Sequence, residues 1–281
     1  MVHQMLDTTP PAAHKPNRPT VGRWIRDHLV VVFGILALLF MFAPIANVVR
    51  FSFNKPEGKI NLIWNQFSLD AWKDPCGASG LCDSLWTSIW IGVVATAIAT
   101  GVGTLAAFGM SRHRFRGRGL ANVLVFLPMA TPEVVAGSSL LTLFLNLGVP
   151  LGAVTVVIAH VMFCLSFVIV TVKARLAGMD PTLEQAAQDL YADPTQTFWR
   201  VTFPLVLPGI VSAAMLSFSL SFDDFIITNF NSGSTVTFPM YVWGAAQRGL
   251  APQVNVVGTG MLVIALTVVV IGRFVSSRRA R

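Results

Sequence analysis

Charged residues are scarce in this chain of 281 amino acids: Lys, Arg, Asp and Glu make up only 12% of it, whereas hydrophobic residues make up 54%. A soluble globular domain has about 25% charged residues, because its surface must be hydrated. The few charges are also clustered, which leaves long stretches that contain none. This composition excludes an ordinary soluble protein and indicates a chain that lies largely in a lipid bilayer.

Several motifs that bind nucleotides or carry out catalysis are missing as well. The sequence has no Gly-x-x-x-x-Gly-Lys-Ser/Thr loop, so we expect no ATP site of the P-loop kind. It also lacks the His-Glu-x-x-His of metalloproteases and the Gly-x-Ser-x-Gly of serine hydrolases. We therefore expect no enzyme active site, no metal site and no bound cofactor in this chain.

Six apolar segments are long enough to cross a membrane. Each has at least the roughly 20 residues that a hydrocarbon core about 30 Å thick requires of a helix. Barrel strands would alternate apolar and polar residues, and these segments do not, so the helix is the structure that satisfies their backbone in lipid. The sequence predicts an all-α membrane protein with spans at 28–50, 84–110, 119–145, 152–176, 201–230 and 253–275.

The remaining residues form tails and loops around this six-helix domain at 28–275. We expect residues 1–27, which are rich in proline, to be a disordered tail, and residues 276–281 to be a basic tail. The first apolar run is followed by no small-residue cleavage site, so we interpret it as an uncleaved signal anchor. The longest loops are predicted at 51–83 and 177–200.

The distribution of basic residues predicts the orientation of the chain. Most of the 20 lysines and arginines fall in the two tails and in alternate loops, including the loop at 177–200. The positive-inside rule places this side in the cytoplasm, so both termini are predicted to be cytoplasmic and the loop at 51–83 external. The protein is then a multi-pass protein of the plasma or inner membrane. Its net charge of +7 reflects this topology and does not indicate nucleic-acid binding.

The loop at 177–200 is a polar, helix-prone island between two apolar runs. Asp180-Pro181 and Asp193-Pro194 each offer a side-chain acceptor for an N-cap, followed by a proline at the first helical position. The loop is therefore predicted to contain two short helices outside the bilayer.

This loop resembles the EAA loop of ABC-importer permeases, which reads Glu-x-Ala-Ala, a glycine-containing turn and a hydrophobic-Leu-Pro ending. We call residues 177–200 the EAA loop. Tyr191 stands where the family usually has glycine, which permits a left-handed turn. A tyrosine makes that turn costlier, or the turn takes another shape. An ordinary amphipathic hairpin is the alternative interpretation. The matching residues are Glu184, Ala186, Ala187, Asp189, Leu190, Phe198, Pro204, Leu207 and Pro208.

The resemblance implies the six-helix fold of type I ABC-importer permeases and a loop that docks on a separate cytoplasmic ATPase. It assigns this coupling role to Glu184, Ala186, Ala187, Asp189, Leu190, Tyr191, Pro194 and Phe198.

Acidic residues at membrane depth are costly in lipid and are therefore candidates for function. Asp223 and Asp224 are adjacent near the predicted external end of the fifth span. Neighbouring helical positions point about 100° apart, so the two carboxylates cannot both face lipid, and they repel each other unless a cation or hydrogen-bond donors compensate them. A multiply charged cation would do so. Alternatively, the pair caps a helix end or binds an arginine of a partner subunit.

Glu133 is a third acidic candidate. It follows Pro132, a proline that can break or kink the third span, and it either lines a cation pathway or accepts hydrogen bonds from backbone that the proline frees. His160, in contrast, is expected to be a buried packing histidine. Aromatic residues that could add cation–π contacts to an amine are Phe222, Tyr241 and Trp243.

These segments resemble the permeases of spermidine/putrescine importers in particular. The matching stretches are Ser-Phe-Asp-Asp-Phe-Ile-Ile-Thr at 221–228, Thr-Phe-Pro at 237–239, Asn255 in the last span, Pro132-Glu133 and Ala159-His160. The resemblance implies a pathway for a polyamine, shared with a second homologous permease subunit in a heterodimer. It also implies a homodimer of ATPases that bind ATP and Mg²⁺, and an extracellular or periplasmic polyamine-binding protein. The alternatives are another solute such as ferric iron, or an ATP-independent secondary transporter.

Two smaller features complete the sequence-based expectations. Cys76 and Cys82 lie close together in the predicted external loop, where they either form a disulfide or remain unpaired thiols. Cys164 is expected to be a small buried residue within a helix. The arginines between Arg112 and Arg118 are expected to anchor their loop to anionic headgroups.

Overall fold

The computed structural model describes residues 21–279, apart from Lys59 and Arg114. Most of the predicted N-terminal tail and the last two residues of the predicted basic tail lie outside this range. The elements in chain order are α1 (Val21–Phe51), β1 (Asn54–Lys55), β2 (Gln66–Phe67), α2 (Asp70–Lys73), α3 (Leu81–Arg112), α4 (Arg118–Ala130), α5 (Glu133–Asn146), α6 (Ala153–Ala177), α7 (Thr182–Asp189), α8 (Pro194–Thr197), a π-helical turn (Phe198–Thr202), α9 (Phe203–Asp223), α10 (Ile226–Asn231), α11 (Phe238–Arg248) and α12 (Pro252–Arg279).

The chain divides into two units, and the first, which ends at Arg50, contains almost all of α1. Helix α1 begins at Val21, so residues 21–27 are helical and were wrongly assigned to a disordered tail. Its proline, Pro44, lies inside the helix, and the stretch His28–Phe51 is long and apolar enough to cross a membrane.

The second unit, residues 51–281, contains the other spans. Over the described residues, five helices are long and apolar enough to cross a membrane, and α4 with α5 can form a sixth, bent span. The prediction of an all-α membrane protein with six spans is confirmed. The last helix continues to Arg279, beyond the apolar stretch Pro252–Gly272, so residues 276–279 of the predicted basic tail are helical.

Helices α3, α6 and α9 pack together and form the core of this unit. Helix α3 presents a row of small residues, including Ala95, Ala99 and Gly103, that are fully or nearly fully buried. A Cβ atom added at Gly103 would lie only 2.7 Å from Cγ1 of Val168 in α6, so glycine permits the close approach of the two backbones. Small residues have this role in membranes, where helix association depends on close packing. Cys164 is buried in the same core, as expected.

Two of the predicted spans are broken. The third is interrupted at Thr131-Pro132, and α4 and α5 meet there at an angle of 105°. The fifth was predicted as one helix over 201–230, but it ends at Asp223, and the chain then turns before α10. The second halves of both spans pack on each other, since a Cβ at Gly137 of α5 would lie 2.9 Å from the ring of Phe230 in α10.

The segment between α1 and α3 is a small folded structure. Strands β1 and β2 pair antiparallel, with Asn54 opposite Phe67. The side chain of Asn54 donates to the Asn61 side chain at 2.6 Å, and it accepts from the backbone N–H of Asn65 at 2.9 Å. Cys76 and Cys82 are joined by a disulfide that ties this segment to the beginning of α3.

Candidate functional site

The two short helices of the EAA loop begin close to the predicted positions. Asp193 is the N-cap of α8, and its Oδ1 accepts the backbone N–H of Gln196 at 2.8 Å, with Pro194 as the first helical residue. Helix α7 begins one residue later than predicted, at Thr182. Its first N–H donates to Oδ1 of Asp180 at 2.9 Å, so Asp180 still supplies the acceptor, although it is not the N-cap residue.

Tyr191 occupies the turn between these two helices. Its φ is 61°, which is the left-handed conformation, and among the described residues it is the non-glycine residue with positive φ. Of the two outcomes that the sequence left open, the chain adopts the costlier turn, at roughly 1–2 kcal/mol for a residue with a Cβ. The tyrosine side chain is 97% exposed, so packing within this chain does not compensate the strain.

Glu184, the acidic residue of the motif, faces inward. Its side chain is only 15% exposed, and its carboxylate accepts hydrogen bonds from both terminal nitrogens of Arg112, one of them at 2.5 Å, and from the Thr202 hydroxyl at 2.6 Å. Burial acts to raise the pKa of Glu184, but the hydrogen bonds from Arg112 and Thr202 and the charge of Arg112 outweigh it, so the pKa lies below its ordinary value. Glu184 is therefore ionised at neutral pH.

Arg112 was expected to contact lipid headgroups, and no partner for it within the chain was predicted. Its guanidinium instead makes a two-pronged contact with Glu184, which lies 72 residues further along the chain. No local signal in the sequence indicates this pair. Only the topology, which brings the end of α3 next to the beginning of the EAA loop, places the two side chains together.

The outer face of the EAA loop carries exposed apolar side chains. Leu190 is 81% exposed and stands beside the exposed Tyr191, and Leu183 is also exposed. The other matched residues divide between the two faces. Ala186, Asp189 and Pro194 are exposed and Ala187 is half-buried.

Phe198 attaches the base of the EAA loop to the bundle. Its ring meets that of Phe108 in α3 edge to face, with centroids 5.4 Å apart, and it also contacts the rings of Trp199 and Phe203. The loop is thus fixed at its base by aromatic packing and at α7 by the Arg112–Glu184 pair.

At the other end of α9, Asp224 links the two halves of the broken fifth span. It follows the last residue of α9, and its side chain is buried. Its carboxylate accepts the backbone N–H of Thr228 at 2.7 Å, the Thr228 hydroxyl at 2.8 Å and the backbone N–H of Ile227 at 3.3 Å. Asp224 therefore caps the first turn of α10, which is one of the alternatives considered from the sequence.

His160 completes this buried network from α6. It is 2% exposed, as expected, but it is more than a packing residue. Its Nε2 lies 3.3 Å from Oδ2 of Asp224 and 2.9 Å from the Thr228 hydroxyl, and its Nδ1 lies 2.7 Å from the Ser221 hydroxyl. Because the Thr228 hydroxyl donates to Asp224, Nε2 of His160 acts as the donor in this arrangement.

Asp223 differs from Asp224 in both exposure and hydrogen bonding. It is the last residue of α9 and its side chain is exposed. Within the part of the chain that the structure describes, its carboxylate has no hydrogen bond and no ion pair. The two adjacent acids are therefore not equivalent: Asp224 is buried and hydrogen-bonded inside the protein, whereas Asp223 is exposed.

Glu133 is the first residue of α5 and is exposed. The backbone at the break is satisfied without it, because Thr131 N–H donates to the carbonyl of Leu127 at 3.0 Å, and the carbonyl of Pro132 accepts from Val135 at 2.9 Å. Across residues 21–279, leaving aside Lys59 and Arg114, no hydrogen bond or ion pair involves its side chain. Of the two alternatives for Glu133, acceptance of hydrogen bonds from freed backbone is therefore not the one that the structure has.

The aromatic candidates lie in three different settings. Phe222, next to Asp223, contacts the rings of Phe218 and Phe238 at centroid distances of 5.9 and 6.2 Å. Trp243 contacts Phe225 at 5.3 Å and remains largely exposed. Tyr241 instead lines a cavity of about 560 Å³, whose other polar lining residues include Asp83, Ser84, Thr87, Thr235 and Arg248.

Comparison with known proteins places these features in context. Residues 99–278 match the model of a family described as the inner membrane component of binding-protein-dependent transport systems. The spermidine/putrescine transport system permease protein PotC of Haemophilus influenzae is 34% identical over 247 residues, which cover 88% of this chain and 95% of that protein. PotC of Escherichia coli K12 is 31% identical, covering 93% and 97%. The putrescine transport system permease protein PotI of Escherichia coli K12 is 32% identical, covering 85% and 87%.

Solved structures with the same fold are more distant in sequence. A chain of a bacterial ABC transporter involved in the import of the acidic polysaccharide alginate superposes with a TM-score of 0.63 at 17% identity, over 94% of this chain and 99% of that one. A chain of the MetNI methionine ABC transporter, in an inward-facing conformation, gives a TM-score of 0.56 at 14% identity, over 68% and 92%. At such identities the likeness concerns the fold alone.

Proposed function

Because the chain belongs to the family of inner membrane components of binding-protein-dependent transport systems, we propose that it forms half of the translocation pathway of an ATP-driven importer for polyamines such as spermidine and putrescine. The observation that carries the cargo assignment is the carboxylate of Asp223, which is exposed at a helix break and has no hydrogen bond or ion pair among the described residues. An ionised carboxylate is not stable against lipid, so it must face water or a cation. A polyamine supplies that cation.

The EAA loop couples this chain to a separate ATPase. Leu183, Leu190 and Tyr191 form an exposed apolar surface on a loop outside the spans, and such a surface is typical of a docking site. Tyr191 keeps a strained backbone while its side chain projects outward, and strain of this kind is concentrated at functional positions. Tyr191 and Leu190 are the anchors that insert into the ATPase. Glu184 fixes the shape of the loop from within.

The orientation and partners follow from this assignment. The basic loops and the EAA loop face the cytoplasm, in agreement with the positive-inside rule. Two copies of the ATPase bind ATP and Mg²⁺, and this chain binds neither. A second, homologous permease subunit supplies the other half of the pathway, and a polyamine-binding protein delivers cargo to the opposite side of the membrane.

The cargo contacts are divided between the two acids. Asp223 meets an ammonium group of the polyamine, and Asp224 holds α10 in place through its cap and through His160. Phe222 lies next to Asp223 and contributes an aromatic face to the methylene chain or to an ammonium group. Glu133 and Trp243 are exposed and Tyr241 lines a cavity, and we assign these three residues to the pathway as well.

Transport requires two conformations that ATP and the loaded binding protein favour to different extents. ATP draws the two ATPases together, and the EAA loops move with them. The pathway then opens toward the binding protein, and the cation moves from that protein to Asp223. Hydrolysis of ATP restores the conformation that is open to the cytoplasm.

The proposal is tested by uptake of labelled spermidine in cells that carry the complete transporter. We expect uptake to be competed by unlabelled putrescine and not by ferric citrate or neutral amino acids. Competition by ferric citrate without competition by putrescine would show that the cargo assignment is wrong. Uptake that continues in cells without the ATPase subunit would show that the chain is a secondary transporter.

A further inference from the structure

We propose that Arg112 is a positioning residue for coupling: with Glu184 it forms a latch that makes α3 move with the EAA loop. This inference rests on the proposed function of the loop. It goes beyond the motif, because neither Arg112 nor Thr202 belongs to the residues that the resemblance assigns to coupling.

The geometry of the contact supports a mechanical role. Both terminal nitrogens of Arg112 donate to the two carboxylate oxygens of Glu184, and Thr202 donates to one of the same oxygens. A two-pronged contact of this kind fixes direction as well as distance, which a lysine cannot do. The Arg112 side chain is 43% exposed, so the pair contributes little to overall stability. Its value lies in holding α7 at one defined angle.

The latch holds a helix that side-chain packing holds only weakly. Helix α7 contains no buried residue. A cavity of about 410 Å³ lies beside the pair, between the ends of α3 and α6 and the start of the EAA loop, and it is lined by Arg118, Lys173 and Asp180 as well as by the pair itself. Helix α7 contacts α8 and the π-helical turn, but this open space separates it from the end of α3, so side-chain packing across the space cannot pass a displacement of α7 to α3. The Arg112–Glu184 contact bridges the gap.

Helix α3 is suited to receive this displacement. Phe108 and Arg112 are four residues apart and therefore share one face of α3. Phe108 contacts Phe198 at the base of the EAA loop, while Arg112 holds α7. The same helix face thus contacts both parts of the loop. Helix α3 has 32 residues, so it extends about 48 Å to Leu81 at the opposite end of the bundle.

At that opposite end, α3 carries Cys82 of the disulfide. It also carries Asp83, Ser84 and Thr87, which line the cavity of about 560 Å³ shared with Tyr241. A rigid displacement of α3 by the latch would therefore change this cavity directly. The pair provides a physical connection between the ATPase side and the far side of the pathway.

The experiment measures coupling in the complete transporter reconstituted in liposomes. For wild type, Arg112→Gln, Arg112→Lys and the charge-swapped pair Arg112→Glu with Glu184→Arg, one measures the amount of spermidine taken up per ATP hydrolysed. Stimulation of ATP hydrolysis by the loaded binding protein is measured in parallel. Arg116→Gln is the matched control, because Arg116 is an exposed arginine between α3 and α4, four residues from Arg112, and takes no part in the latch.

We expect Arg112→Gln to lower uptake per ATP about tenfold, a typical size for a coupling between sites. Uptake per ATP in Arg112→Lys should lie between the values of wild type and Arg112→Gln, since lysine keeps the charge and loses the two-pronged geometry. The charge swap should recover much of the ratio, and Arg116→Gln should leave it unchanged. A ratio in Arg112→Gln equal to that of wild type overturns the latch. So does a loss of assembly that neither the lysine variant nor the charge swap restores, because Arg112 would then be purely structural.

The latch and the cargo assignment can fail separately. If wild type does not transport spermidine, the cargo assignment fails. The latch is then judged by stimulation of ATP hydrolysis by the loaded binding protein, which should fall in Arg112→Gln and recover in the charge swap. Stimulation that does not change in Arg112→Gln would overturn the latch independently of the cargo.

Discussion

Replacing the two neighbouring aspartates by asparagine, one at a time, should have opposite effects: Asp223→Asn should lower transport and leave stability unchanged, and Asp224→Asn should lower stability. Asp223 is exposed and has no partner in the described chain, so Asp223→Asn should change the free energy of unfolding by no more than about 0.5 kcal/mol. Asp224 is buried, and its Oδ2 accepts from Thr228 while its Oδ1 accepts the backbone N–H of Ile227. An asparagine that keeps its amide oxygen toward Thr228 and His160 must turn its NH2 group toward that N–H, which leaves two donors facing each other. A buried donor or acceptor left unsatisfied costs about 1–3 kcal/mol.

Polyamine uptake should respond to the two variants in the opposite way: Asp223→Asn should lower it directly, whereas Asp224→Asn should lower it only through loss of folded protein. A hydrogen bond to a charged group contributes about 1.5–3 kcal/mol, which corresponds to roughly a 10- to 150-fold change in affinity. Asp223→Asn should therefore reduce polyamine uptake at least about tenfold at unchanged stability. Any loss in Asp224→Asn should follow the loss of folded complex.

The assay pairs thermal unfolding of the purified complex with the initial rate of labelled spermidine uptake. Glu57→Gln, an exposed carboxylate between α1 and α3, serves as the control and should change neither quantity. The division of roles is refuted if Asp223→Asn lowers the unfolding temperature as much as Asp224→Asn does. It is also refuted if Asp224→Asn leaves stability unchanged.

Three further predictions concern the EAA loop and the broken spans. Tyr191→Gly should stabilise the turn by about 1 kcal/mol, because it removes the left-handed strain. The same change should weaken binding of the ATPase, which a pull-down of the ATPase by this chain would measure. Tighter binding would show that the tyrosine is not an anchor. Gly137→Leu should disrupt the packing of α5 on α10 and reduce assembly in a size-exclusion profile, whereas the exposed Gly101→Leu should not. The pKa of Glu184 lies below its ordinary value, so the contribution of its pair with Arg112 is complete at neutral pH and is lost only as pH falls through that lowered pKa. Uptake per ATP should thus be constant between about pH 6 and 8, and a decline near neutrality would contradict this assignment.

Local signals predicted much of the molecule. The apolar runs predicted the six spans, because length and composition alone decide whether a helix can cross a bilayer. The Asp-Pro pairs predicted both short helices of the EAA loop to within one residue, because capping depends on neighbouring atoms only. The break at Pro132 was foreseen for the same reason, since a proline disturbs the helix where it stands.

Long-range contacts were beyond the reach of these signals. Arg112 and Glu184 are far apart in sequence, and nothing near either residue indicates its partner. The break after Asp223 was missed because the segment 201–230 contains no proline or glycine there; a buried carboxylate and a histidine from another helix stabilise the turn. The role of His160 likewise depends on which residues α9 and α10 bring against it.

The central claim is that this chain transports polyamines only when an ATPase drives it through the EAA loop. The most direct measurement is uptake of labelled spermidine into proteoliposomes that contain the complete transporter and the loaded binding protein, with ATP or a non-hydrolysable analogue on the ATPase side. We expect uptake with ATP and none with the analogue. Equal uptake under both conditions, or ATP hydrolysis stimulated by the loaded binding protein without any entry of spermidine, would contradict it.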